Sequence, residues 1–174
     1  MQIQGETSVN KLIILFVFDK MESALSETTI LEICATSNDW LNYIDCKQLL
    51  PRLLEDGFLC KVPFSDETLY SITTDGRESL NNFYIMIPKS LRDKISAYIK
   101  KNSDKLRTRQ ECKSDYYQNM DGSFTVFLKI NAPVQPMLEL KFVVPDKKTA
   151  QNIYKNWESK AAELYSAIYD TLVD

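Results

Sequence analysis

Lys47, Gln48 and Arg52 fall at helical spacing on the polar side of a segment whose other side is Cys46, Leu49, Leu50, Leu53 and Leu54. Displayed this way they suit base-edge recognition in a DNA major groove. Gln pairs bidentately with adenine and Arg with guanine, each worth about 1–3 kcal/mol of discrimination when well placed. Lys61, in the hairpin that follows, is the base available there for a phosphate. From Lys89 to Lys113 nine basic residues face three acidic ones, a net of +6, and Lys89, Arg92, Lys100 and Lys101 are candidates for further phosphate contacts. Two facts oppose this chemistry. Residues 1–90 carry seven Lys and Arg against thirteen Asp and Glu, a net of −6, whereas duplex affinity comes largely from neutralised phosphates. Any amphipathic helix also has a solvated polar face, which needs no ligand to explain it.

Catalysis finds no comparable set of residues. The chain has no histidine, which removes Ser/His and Cys/His nucleophile pairs, His-ligated metals and the commonest general base near neutral pH. Cys34, Cys46, Cys60 and Cys112 never approach C-x-x-C spacing, so they read as reduced core thiols and not as zinc ligands or sensors, Cys46 included. Gly5, Gly57, Gly76 and Gly122 are isolated, so no loop cradles phosphate. The acidic pairs Glu55-Asp56 and Asp66-Glu67 are merely adjacent. A non-enzymatic protein without cofactor or metal is expected.

The elements that must position these residues follow from periodicity. Ser8 to Met21 is helical and apolar on nearly every side, so several neighbours or a second subunit must cover it. Its apolar run, Leu12 to Phe18, is far short of the roughly 20 residues that cross a bilayer. Glu6 before the run, and the lack of a small-x-small pattern after Lys20, argue against a signal peptide. The expected location is the cytoplasm, with no membrane partner. Ser26 caps a second helix that ends near Ala35, and Thr36 to Asp39 has turn composition. Asp45 with Gln48 fits a capping box that opens a third helix running to Asp56, stopped by Gly57. Pro51 either kinks this helix or, if the helix starts near Lys47 or Gln48, falls in its first turn.

Strands Phe58–Val62 and Thr68–Ile72 flank a looped connection, and Thr73 to Gly76 caps a fourth helix that ends before Pro88. A long helix from Lys89 to about Lys105 follows. Strands Cys112–Asn119 and Ser123–Asn131 flank a tight Asp121-Gly122 turn, and Met137–Val144 adds a third strand. Asp146 caps a last helix whose Ile153, Trp157, Ala161, Leu164, Ile168 and Leu172 form a stripe suited to covering the sheet. The fold class is α+β: an N-terminal winged helix-turn-helix, then a small antiparallel sheet covered by a C-terminal helix. The expected domains are residues 1–88 and 89–174, the second being a dimerisation and effector half.

From Leu53 to Gly76 a Leu-x-x-x-Gly helix end leads into a hairpin whose second strand reads Tyr70-Ser71-Ile72-Thr73-Thr74-Asp75-Gly76. This segment resembles the PadR-like and MarR-like winged-helix regulators. Most of the chain is similar to an uncharacterised bacterial family catalogued as a domain of unknown function. The similarity is carried by Asn10-Lys11-Leu12-Ile13-Ile14-Leu15, Asn42-Tyr43, Asp121-Gly122 and the helix from Trp157 to Tyr169. The resemblance implies a transcriptional regulator and brings no mechanism with it.

The expected function is therefore DNA-binding transcription regulation by a homodimer on double-stranded DNA. The alternative is a winged-helix protein–protein interaction module with an acidic surface. A small-molecule effector between the sheet and the last helix is conceivable from the aromatic residues there, although a Trp and Tyr stripe more often packs a core.

Overall fold

The computed structural model describes residues 2–173. It is α+β, with six α-helices and two small antiparallel sheets among the described residues. No helix among these residues is long and apolar enough to cross a membrane. The chain divides into two compact units: Met1–Pro63 with Glu67–Asp104, and Phe64–Asp66 with Lys105–Asp174.

In the first unit, helix α1 (Gln2–Met21) begins ahead of the expected Ser8. Its residues Leu12 to Phe18 are all buried. α1 packs against α3 (Tyr43–Glu55), α4 (Thr74–Phe83) and strand β2 (Glu67–Ile72). An all-round apolar helix is thus covered within its own unit, and its burial requires no second subunit. Ser26 caps α2 (Glu27–Leu31) as expected, its hydroxyl accepting from the Thr29 amide at 3.1 Å. The helix then widens into a π-helical turn, Glu32–Thr36, closed by the Ser37 amide donating to the Glu32 carbonyl at 2.8 Å.

Three local expectations are corrected here. Helix α3 is capped by Asn42, whose side chain accepts from the Ile44 amide at 2.8 Å, and not by Asp45. Pro51 is therefore its ninth residue, well past the first turn, and the backbone bond it cannot donate would have gone to Lys47. Strands β1 (Leu59–Phe64) and β2 extend further toward each other than Val62 and Thr68, so the connection is the two residues Ser65 and Asp66. Ser65 takes φ +55°, the left-handed backbone that so short a turn demands. The small sheet also gains a bridge from Leu25 to Tyr70, closed by two backbone bonds of 2.9 and 2.8 Å.

Thr73 caps α4, accepting from the Gly76 amide at 3.0 Å, and a 3-10 turn, Tyr84–Met86, ends it before Pro88. Helix α5 (Lys89–Glu111) is six residues longer than the expected end at Lys105 and runs unbroken to the second sheet. Ile95, Ile99, Leu106 and Gln110 form its buried stripe.

In the second unit, β3 (Cys112–Gln118), β4 (Phe124–Ile130) and β5 (Leu138–Val144) are antiparallel in that spatial order. Phe124 pairs with Gln118 on one side and Val144 on the other. The β3–β4 connection is not a two-residue Asp121-Gly122 turn. Asn119 and Ser123 remain paired, the Gly122 amide donates to the Asn119 carbonyl, and Gly122 takes φ +85°, so the loop has three residues. Asp146 caps α6 (Lys147–Val173), accepting from the Thr149 amide at 2.9 Å. Phe124, Val126, Leu128 and Ile130 pack against Ala150, Trp157 and Ala161. Ala161 is the last fully buried residue of the expected stripe, with Tyr165 resting partly buried on the same core and Ile168 half-buried. Leu164 and Leu172 are exposed, because 27 helical residues reach about 40 Å whereas seven-residue strands span about 23 Å.

Candidate nucleic-acid interface

Helix α3 buries Cys46, Leu49, Leu50 and Leu53 and exposes the opposite side. Lys47, Gln48, Pro51, Arg52 and Glu55 all lie on that exposed side, as the helical period requires. The earlier start adds Tyr43 and Ile44, 50 % and 62 % exposed, to the first turn. Sequence reasoning missed both because Asp45 and Gln48 imitate a capping box; Asn42 was the signal. The turn before α3 is pinned from inside the unit. The amides of Trp40 and Leu41 both donate to the Cys34 carbonyl, at 2.9 and 3.0 Å, and Trp40 meets Tyr98 of α5 edge-on at 5.7 Å. At the far end, Asp56 is tied to Lys11 at 2.5 Å, which anchors the C-terminal cap to α1. The polar face therefore rides on a helix fixed at both ends.

Lys61 is exposed on β1. Of the basic residues on α5, Lys89, Lys100 and Lys101 are exposed. Arg92 is half-buried, its guanidinium 3.9 Å from the centre of the Tyr84 ring, and its buried Nε finds no hydrogen-bond partner. Stacking of this kind fixes a guanidinium in place and turns its charge inward. Arg109 lies 3.5 Å from Glu158. The basic excess of α5 is partly spent inside the protein.

The hairpin turn belongs to the second unit, and its acid, Asp66, is ion-paired there. Asp66 accepts from Lys129 at 3.0 Å, the Ser65 amide donates to the Pro133 carbonyl at 3.3 Å, and Lys129 lies 3.3 Å from Glu139. The Lys129 ammonium holds the Asp66 carboxyl below the usual carboxylate range, and Asp66, then Glu139, hold the Lys129 ammonium above its ordinary value. Two further carboxyls behave like Asp66: hydrogen bonds from Ser123 lower Asp121, and those from Thr149 lower Asp146.

All three carboxyls are depressed in the folded chain, so their stabilisation is present above the unfolded carboxylate range and is lost as pH falls through the folded values. The raised Lys129 contributes stability that is complete below the unfolded lysine value and fades as pH rises through the folded one. The melting midpoint of the second unit should therefore hold a plateau between these limits and drop below about pH 4. Asp66→Asn should weaken the acid limb, as followed by circular dichroism against pH; an unchanged acid limb would show that the pair is idle.

Between the sheet and α6, where an effector pocket was conceivable although core packing was the stronger reading, lies a shallow cleft of about 330 Å³ lined by Leu128, Phe142, Ile153, Trp157 and Leu164. A second, more polar cleft of about 580 Å³ opens between Tyr116, Tyr117, Phe124, Lys147 and Tyr154. In the first unit Phe83, Tyr84, Ile85 and Met86 form an exposed apolar run, Ile85 being 84 % exposed. The sequence marked none of these four as a surface, because they continue an apparently helical pattern.

A family model matches residues 10–172, nearly the whole chain. No curated protein and no solved structure matches it.

Proposed function

On the premise that the chain belongs to the family described as Domain of unknown function (DUF4364), we propose that it is a non-enzymatic, DNA-binding transcriptional regulator. In this reading α1 to α4 with β1 and β2 are a winged helix-turn-helix, α3 is the helix that enters the major groove, and the β1–β2 hairpin is the wing. The observation that carries it is the exposed polar face of α3, with Lys47, Gln48 and Arg52 side by side on a helix fixed at both ends. The order of helices and hairpin supports it further. The exposed Lys61, Lys89, Lys100 and Lys101 are the phosphate contacts, and a homodimer would bring two sets of them to one duplex. Arg92, stacked on Tyr84, would serve that purpose least.

Selection from random duplexes at low salt should enrich one sequence. Arg52→Ala should then relax discrimination at one base position or, if Arg52 meets a phosphate, lower the salt slope by about one. The slope of the unmodified protein should itself be shallow, because the first 90 residues are net acidic. No enriched sequence at any salt concentration, with the protein folded, would defeat this reading.

A second reading, a protein-interaction module, is favoured by Tyr43 and Ile44 beside the polar face and by the exposed run from Phe83 to Met86. Aromatic and apolar residues are what interface centres use, and a groove-reading helix has little need of them. Under this reading Arg52→Ala leaves DNA retention at background and Ile44→Asp abolishes capture of the partner.

A further inference from the structure

Helix α6 leans over β3 and β4 and leaves the inner side of β5 only partly covered. The shallow cleft left there runs along α6 from Thr149 to Leu164, with Phe142 of β5 on its other wall and Lys160 at its edge. Beyond Leu164 the same helix carries Ile168 and Leu172 past the end of the sheet, Leu172 being 79 % exposed. Cleft and overhang are thus one apolar surface, joined at Leu164. We propose that a second copy of this chain covers it: two α6 helices pair antiparallel about a two-fold axis near Leu164, and the outer half of each lies in the cleft of the other. The inference goes beyond the homodimer named above by placing it on the last helix, and it does not rest on what α3 binds.

Charge along α6 favours this occupant over any other. From Lys147 to Lys160 the helix carries Lys147, Lys148, Lys155 and Lys160 against Glu158, a net of +3, whereas from Ala161 to Val173 it carries Glu163 and Asp170 and no base, a net of −2. A helix standing alone prefers the reverse, because its macrodipole is positive at the start and negative at the end. Only the cap, Asp146, follows that preference. Antiparallel pairing removes the conflict, since each acidic half then lies beside a basic half and the two dipoles oppose each other.

Length and symmetry agree with charge. At 1.5 Å per residue the overhang from Ala161 to Val173 is about 20 Å long, and the cleft from Thr149 to Leu164 is about 22 Å. The filler therefore fits the groove end to end. Groove and filler also lie on one helix on either side of Leu164, which is the layout that a two-fold contact requires, where residue i meets j and j meets i. Pairing takes Phe142, Leu164, Ile168 and Leu172 of both copies out of water, so each contact counts twice. Lys160 and Glu163, 2.6 Å apart and largely exposed on the single helix, lie beside the axis, where each also faces the opposite charge of the other copy.

The test is sedimentation of the whole chain, without DNA, over a range of concentrations. At micromolar concentration and above the mass should be twice the 20.1 kDa of one chain. Leu172→Asp changes an exposed residue, so its circular dichroism should match the unmodified chain, while its dissociation constant rises by roughly a hundredfold because symmetry buries the new carboxylate twice. Glu163→Lys with Asp170→Lys suits the dipole of a lone helix better, yet at low salt it should weaken pairing by about tenfold, as basic halves then meet basic halves. Amides beyond Ala161 should exchange fast in the dilute single chain and slow down as the concentration is raised. A mass of one chain at every concentration would overturn the proposal, as would a dimer indifferent to Leu172→Asp or to the charge reversal. A chain that never pairs but still selects one duplex sequence would overturn this inference alone and leave the reading of α3 standing.

Discussion

Gly76→Ala should destabilise the first unit by about 3 kcal/mol, at or beyond the upper end of what an added methyl usually costs in a packed site. A Cβ at Gly76 would lie 2.3 Å from the Phe58 carbonyl oxygen and 2.9 Å from a side-chain carbon of Ile72. The first of these neighbours is backbone and cannot swing aside. It is also fixed in place, because the Phe58 carbonyl accepts from the Thr73 amide at 3.0 Å and the Thr73 hydroxyl donates to the Gly57 carbonyl at 2.7 Å. The first turn of α4 is thereby pressed against the end of α3, and only a residue without a side chain fits between. Gly57→Ala is the control: its Cβ meets nothing within 4 Å, so only the left-handed backbone at φ +76° is penalised, by about 1–2 kcal/mol. Urea unfolding should show the larger loss at Gly76. Equal losses at the two positions would refute the close-approach argument.

Trp157→Ala should cost the second unit about 4 kcal/mol, within the range for removing a buried aromatic. Trp157 is 3 % exposed and is the largest side chain between α6 and the sheet. Its indole N–H donates to the Lys129 carbonyl at 3.3 Å, in the middle of the three-stranded sheet. Truncation leaves a cavity lined by Val126, Leu128, Ala150 and Ala161, and a strand carbonyl without its side-chain donor. Trp157→Phe should recover much of the packing and none of the hydrogen bond, so it should fall between. The chain has two tryptophans, and the other, Trp40, lies in the first unit. In Trp157→Ala the remaining fluorescence therefore reports the first unit alone, while circular dichroism reports both. A circular-dichroism melt identical to that of the unmodified chain would mean that Trp157 does not hold the sheet to α6.

Much of this fold is legible in local chemistry. Ser26, Thr73 and Asp146 cap the helices that follow them because a side-chain oxygen in the right place satisfies an otherwise open amide, and that depends on residue type and spacing alone. The alternation of Phe124, Val126, Leu128 and Ile130 places them on one buried face for the same reason. The exposed side of α3 follows from helical period, so Lys47, Gln48 and Arg52 were placed correctly even though the helix starts earlier than Asp45 suggested.

What stayed hidden depends on neighbours. The π turn is a slip of one residue in hydrogen-bond register, which composition does not mark. Pro63 read as a loop residue, yet it lies in β1, an outer strand of the two-stranded sheet where a missing N–H is tolerated. The stacking of Arg92 on Tyr84 likewise removes from the basic surface a residue that charge counting had placed there.

The overhang of α6 has a consequence for how that helix breathes. Up to Ala161 its amides are protected by the sheet as well as by their own bonds. Beyond it no side chain of α6 among the described residues is fully buried, and Tyr165 alone still packs, half-buried, against the same core. A stretch of about a dozen residues is at the limit of what forms a helix unaided in water. The outer half of α6 therefore frays on its own account: its amide protons exchange with solvent in a gradient that steepens away from Ala161, long before the sheet beneath Trp157 opens.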